Sequence, residues 1–108
     1  MTSKKIVLVR DFSKTPYGRD EGDGIYSGKA FRQKCLEPAM RKYDHVHVDL
    51  TGYNRYGRSF LDEAFGGLIR ESGFSAREVA RKLTYSHDLV KSIEGLIDER
   101  IRAASDAR

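Results

Sequence analysis

Cysteine is nearly absent from this chain. Cys35 is the single one among 108 residues, which excludes an internal disulfide and a thiolate metal cage. Long apolar runs are missing too: none approaches the roughly 20 residues that a membrane span requires. The stretch at residues 6–9 is too short for a signal peptide and continues straight into Arg10 and Asp11, so it reads as a first strand of a cytoplasmic protein. There is no Gly-rich phosphate loop, no His-Glu-x-x-His and no nucleophile elbow. Neither an enzyme nor a cofactor is therefore expected. No internal repeat or low-complexity tract is visible.

What is present is a mixed-charge globular composition. Hydrophobic residues make up 39% and charged residues 33%, too apolar for a disordered chain. A chain of this length is one domain, residues 1–108, with 103–108 read as a fraying polar tail. Lys and Arg number 20 against 16 Asp and Glu, for a net charge of +4 and a pI near 9.3. That excess only just raises the question of a nucleic-acid partner, because acids are interleaved with the bases along most of the chain.

Periodicity organises the rest. Residues 5–9 are β-branched and apolar, as in a strand buried on both faces. Residues 10–24 form a long polar loop, closing with a short strand at Ile25-Tyr26. Ser27-Gly28 opens a helix whose stripe is Phe31, Cys35, Leu36, Ala39, Met40 and Tyr43, with a kink or a restart expected near Pro38, where a second piece would begin. Residues 45–50 alternate as a strand, with Val46, Val48 and Leu50 on one face and His45, His47 and Asp49 on the other. Those two His are too poorly accompanied for a metal site.

A loop at 51–58 leads to a second helix. Ser59 is expected to cap it, with Asp62 three residues on, and Gly73 to end it. Gly66-Gly67 in its apolar stripe is expected to let the helix lie close to a sheet. Ser75 and Glu78 make a capping box, Leu83 to Tyr85 looks extended, and a last helix starts at Asp88. The order of elements is an α/β pattern, a small mixed central sheet flanked by helices.

Gly18-Arg19, Asp23-Gly24, residues 27–32, Val48-Asp49-Leu50 and above all the Ser-Phe-Leu-Asp-Glu-Ala-Phe-Gly block at 59–66 resemble the bacterial STAS-like domain family of unknown function. The resemblance runs from Ile6 to about Ile101. That family is distantly similar to STAS domains of anti-sigma factor antagonists and sulfate transporters. In the antagonists a partner kinase phosphorylates a Ser at the start of a helix and so breaks a protein complex. The matching position is Ser59, although the antagonists' Asp-Ser-Ser-Gly is replaced here by residues 56–60, Tyr-Gly-Arg-Ser-Phe. The resemblance implies a regulatory, protein-binding module whose partner is a kinase-like ATPase or another switch protein.

The residues themselves offer candidate sites. Ser59 serves as a helix cap, and a phosphate on it would meet free amides with Arg55 and Arg58 alongside. Tyr53, Arg55, Tyr56 and Arg58 interleave aromatic and basic groups, a pattern that suits stacked bases, a protein partner or a merely exposed loop. Arg19 and Arg32, with Arg10, Lys14 and Lys29, flank the Ser27 helix end; they make an anion pocket or a solvated loop neutralised by Asp20, Glu21 and Asp23. The alternative function is DNA binding through a helix-turn-helix-like segment at 75–101, with Ala80 at its packed turn and Thr84 where a Gly is usual.

Overall fold

The computed structural model describes residues 1–107. Three strands, β1 (Ser3–Val7), β2 (His45–Asp49) and β3 (Leu83–Ser86), form a parallel sheet in the order β1-β2-β3. Ile6 lies opposite Val48, and Val46 opposite Leu83, so these four side chains share one face and are buried. Lys5, His47, Asp49, Thr84 and Ser86 share the other, partly exposed face. There His47 Nδ1 lies 2.7 Å from Thr84 Oγ1 and its Nε2 2.8 Å from Ser86 Oγ. Among the described residues no group of three metal-ligating side chains is assembled, around these His or elsewhere.

A single-turn helix α1 (Leu8–Asp11) follows β1 directly. Helix α2 runs over 28–42 in three consecutive pieces, Gly28–Phe31, a π-helical Arg32–Leu36 and Glu37–Lys42. Helix α3, over 58–70, repeats that build with Arg58–Leu61, a π-helical Asp62–Gly66 and Gly67–Arg70. Then come α4 (Ala76–Lys82) and, after β3, α5 (Ser92–Asp106). Phe31, Leu36, Met40, Phe60, Phe65, Leu68 and Ile97 are buried with the sheet's apolar face, forming one core. No helix is long and apolar enough to cross a membrane among the described residues.

Several expectations hold in detail. Ser27 Oγ accepts the Ala30 amide at 3.2 Å, and the Ser75–Glu78 capping box is complete at 3.0 Å in both directions. Gly73 has φ +86 just beyond the end of α3. The restart expected near Pro38 is present: the last piece of α2 begins at Glu37, with Pro38 in its first turn. The wider π turn before it, closed by the Glu37 amide on the Arg32 carbonyl, leads into a helix that runs on regardless of the missing donor.

Other expectations are corrected. The sheet is parallel rather than mixed, and no strand forms at Ile25-Tyr26, where Ile25 is exposed and the Tyr26 carbonyl accepts the Tyr17 amide at 2.9 Å. β1 starts earlier than residue 5 and is an edge strand with only Ile6 fully buried, because Leu8 to Asp11 coil into a turn. The last helix begins at Ser92, four residues after Asp88, and reaches Asp106 with Ala104 buried, so 103–106 is helix rather than a fraying tail. Ala107 follows as its C-cap, and Arg108 lies outside the described residues. The helix-turn-helix-like reading of 75–101 fails on geometry: Leu83–Ser86 is a strand hydrogen-bonded to β2, not a bend between two helices.

Helices α2 and α3 touch at Gly28. A Cβ there would come within 2.3 Å of the Phe60 carbonyl oxygen and 3.1 Å of the Ala64 nitrogen, so only glycine permits this approach. Gly28→Ala is expected to lower stability by about 2 kcal/mol, as overpacking against backbone does. Thermal unfolding followed by circular dichroism measures it.

Candidate functional site

At the carboxyl end of β2 the chain is fastened before it reaches α3. Asp49 Oδ1 accepts the Thr51 amide at 2.9 Å, and the Leu50 amide donates to the Ser86 carbonyl at 2.8 Å. Tyr56 folds inward, its hydroxyl donating to the Leu50 carbonyl at 3.1 Å. Its ring meets Tyr53 edge-on at 5.0 Å and lies 5.8 Å from Phe60. Burial pushes the Tyr56 phenol well above its usual range, so it stays a neutral donor. Tyr53 is held from the other side, where His87 Nε2 is 2.9 Å from its carbonyl oxygen. The two tyrosines therefore pack on each other as the footing of this loop.

Above that footing lies an open hollow of about 270 Å³ lined by Tyr17, Gly18, Asp23, Arg55, Gly57, Arg58, Ser59 and Phe60, with the Asp23 carboxylate already accepting the Arg19 amide at 2.9 Å. Ser59 does not cap α3. Gly57 holds the N-cap position with extended backbone, and Ser59 is the second helical residue, exposed and without a side-chain hydrogen bond to the helix. Arg55 and Arg58 are exposed beside it. Among the described residues Arg58 has one ion-pair partner, Glu99, at 3.9 Å between two largely solvated side chains, a pair worth little. Tyr17 is 68% exposed on the far wall.

The arginines expected to complete an anion pocket turn elsewhere. Arg32 is 3% exposed and donates through Nη1 to the Glu63 carbonyl at 2.6 Å and to its Oε2 at 2.7 Å. Arg19 Nη1 donates to Asp62 Oδ2 at 2.9 Å and Glu63 Oε1 at 3.0 Å. Ser27 is buried as a cap, and Lys29 pairs with Glu21 at 3.2 Å. Of the eight candidate residues, Arg55, Arg58 and Ser59 form the open surface, Tyr53 and Tyr56 support it, and Arg19, Ser27 and Arg32 belong to the fold's interior bracing.

That bracing centres on two adjacent carboxylates, Asp62 and Glu63. Asp62 also receives Arg70 Nη2 at 3.0 Å, and Arg100 Nη1 stands 3.6 Å from its Oδ1. Burial raises the Asp62 carboxyl, but hydrogen bonds from Arg19 and Arg70 outweigh it and leave the group below its ordinary 3.8. Glu63 behaves alike: burial raises it, Arg32 and Arg19 lower it further, and it ends below 4.5. Gly66-Gly67 makes room for this cluster, not for the sheet. A Cβ on Gly67 would fall 1.9 Å from Arg32 Nη1, and one on Gly66 2.8 Å from Arg70 Nη1. The paired glycines beside adjacent acids were the available signal.

Both carboxyls are lowered in the folded state, so their stabilisation is present above their ordinary values and is lost as pH falls below about 4.5. Asp62→Ala strands Arg70 and Arg100 and is expected to cost about 3 kcal/mol at neutral pH. It should also flatten the acid side of the stability curve. Urea unfolding at neutral pH and at successively lower pH checks both.

A family model described as a STAS-like domain of unknown function matches residues 27–88, more than half of the chain. No curated protein and no solved structure matches. The matched span carries α2, β2, the loop at 51–57, α3, α4 and β3.

Proposed function

Since the chain belongs to the family of STAS-like domains of unknown function, we propose that it is a non-enzymatic regulatory module that binds a protein partner at the amino end of α3 and is switched at Ser59. One observation carries this reading: the Ser59 hydroxyl is exposed, relieved of capping by Gly57, and flanked by Arg55 and Arg58 in an open hollow. A hydroxyl with no structural duty is free to be modified without cost to the fold. A phosphate placed there adds nearly two negative charges beside two guanidinium groups and the positive end of the α3 dipole. It would draw Arg55 and Arg58 inward and change both the charge and the shape offered to a partner. The resemblance to anti-sigma factor antagonists supports a kinase-like ATPase or another switch protein as that partner.

Tyr17 widens the surface. An exposed tyrosine beside two arginines has the composition of an interface centre, where Tyr and Arg supply most of the binding energy. Binding rather than turnover fits the side chains at hand: the Tyr56 phenol is buried and neutral, and the hollow contains no His or Cys.

Ser59→Ala and Ser59→Glu are each expected to change stability by less than about 0.5 kcal/mol, since the residue is exposed and not a cap. In affinity capture from native lysate, wild type and Ser59→Ala should retain a partner that Ser59→Glu and Arg55→Glu/Arg58→Glu lose. Identical capture by all four proteins would refute the switch.

A further inference from the structure

A second cleft, sharing no residue with the Ser59 hollow, opens between β1 and the carboxyl half of α2. It has a volume of about 310 Å³ and an apolar floor of Ile6, Cys35, Ala39 and Tyr43. Around this floor stand Lys4, Lys34 and Lys42, all exposed. Among the described residues none of these ammonium groups lies within ion-pair distance of a carboxylate. Lys42 leans over the Tyr43 ring at 5.5 Å. The single acid at the cleft, Asp11, is already engaged: Arg10 Nε donates to it at 3.0 Å and the Val7 amide at 2.8 Å.

Two other clefts set acid beside base. In the polar hollow beside Arg32, Lys29 pairs with Glu21 and Arg32 with Glu63, while Arg41, next to it, takes Glu37. The groove between α4 and α5 is lined by both Asp98 and Arg102. At the β1 cleft, by contrast, three lysines without an ion-pair partner among the described residues ring an apolar floor.

We infer that this cleft docks an acidic segment of a partner protein, with one apolar side chain of that segment seated over Cys35, Ala39 and Tyr43. Charge complementarity selects the acid: three unpaired lysines repel a basic segment and hold carboxylates at the rim while the apolar anchor leaves water. The floor lies in a hollow, where a protruding side chain reaches it and a flat anionic bilayer surface does not. Strand addition is not the mode. Lys4 and Lys5 blunt the β1 edge, and Asp11 already occupies the Val7 amide.

Cys35, the sole cysteine and half-buried in the floor, reports occupancy directly. The probe is a short fluorescein-labelled peptide bearing one Leu between pairs of Glu. It is expected to bind saturably at low salt and to slow N-ethylmaleimide alkylation of Cys35 as it saturates. Lys34→Glu/Lys42→Glu should weaken binding about tenfold or more, since each reversal turns an attraction into a repulsion. Ser59→Glu should leave it unchanged, so the cleft and the switch stand or fall separately. Absence of saturable binding, binding without protection of Cys35, or equal binding by the charge-reversed variant would overturn the inference. So would protection by phosphatidylglycerol vesicles where the peptide gives none.

Discussion

The long first loop and the helices α2, α3 and α5 are tied together at two adjacent carboxylates. Asp62 and Glu63 sit on the π-helical segment of α3 and receive guanidinium groups from the long first loop, from α2, from α3 itself and from α5. Partners from four parts of the chain converge on one helical turn. Charges this deep are tolerable only when paired and hydrogen-bonded, and here nearly every oxygen is used. Close helix contacts complete the arrangement: bare glycines at 28, 66 and 67 leave room for a neighbouring carbonyl or for the guanidinium groups themselves.

This cluster also decides what the open surface is made of. By drawing Arg19 and Arg32 inward it removes them from the anion pocket they were expected to form. The same Arg19 contact lays residues 17–19 along the start of α2, where the Gly18 and Arg19 carbonyls accept the Gly28 and Lys29 amides at 2.9 and 3.0 Å. Tyr17 is thereby presented opposite Arg55, Arg58 and Ser59. With Tyr56 anchored beneath, the hollow is assembled before any partner arrives, which spares the ordering cost of binding.

Local signals carried much of the fold. Alternation in 45–49, the Ser75–Glu78 box, Gly73 and the extended Leu83–Tyr85 were all legible, since each is set within a few residues. What escaped was long-range. Residues 5–9 were apolar enough for a buried strand, yet the sheet needed only Ile6 and let Leu8 turn into α1. Gly66-Gly67 read as room for a sheet because nothing local shows that Arg32, far back in the chain, fills it. Ser59 looked like the cap because Ser outranks Gly in capping preference. Folding Tyr56 onto the Leu50 carbonyl places extended backbone at Gly57 instead. The site was thus legible as a region, with Arg55, Arg58 and Ser59 on it, while the division into surface and bracing depended on pairings that only the folded chain makes.

The central claim is that the Arg19 contact with Asp62 and Glu63 holds the first loop in place and so builds the hollow. Amide hydrogen exchange on Arg19→Ala tests it most directly. The account expects faster exchange at Gly28 and Lys29, whose amides bond the loop, and across residues 17–26, with Val46 and Val48 in β2 as protected as in wild type. Unchanged protection at Gly28 and Lys29 would contradict it, as would uniform loss of protection through the sheet.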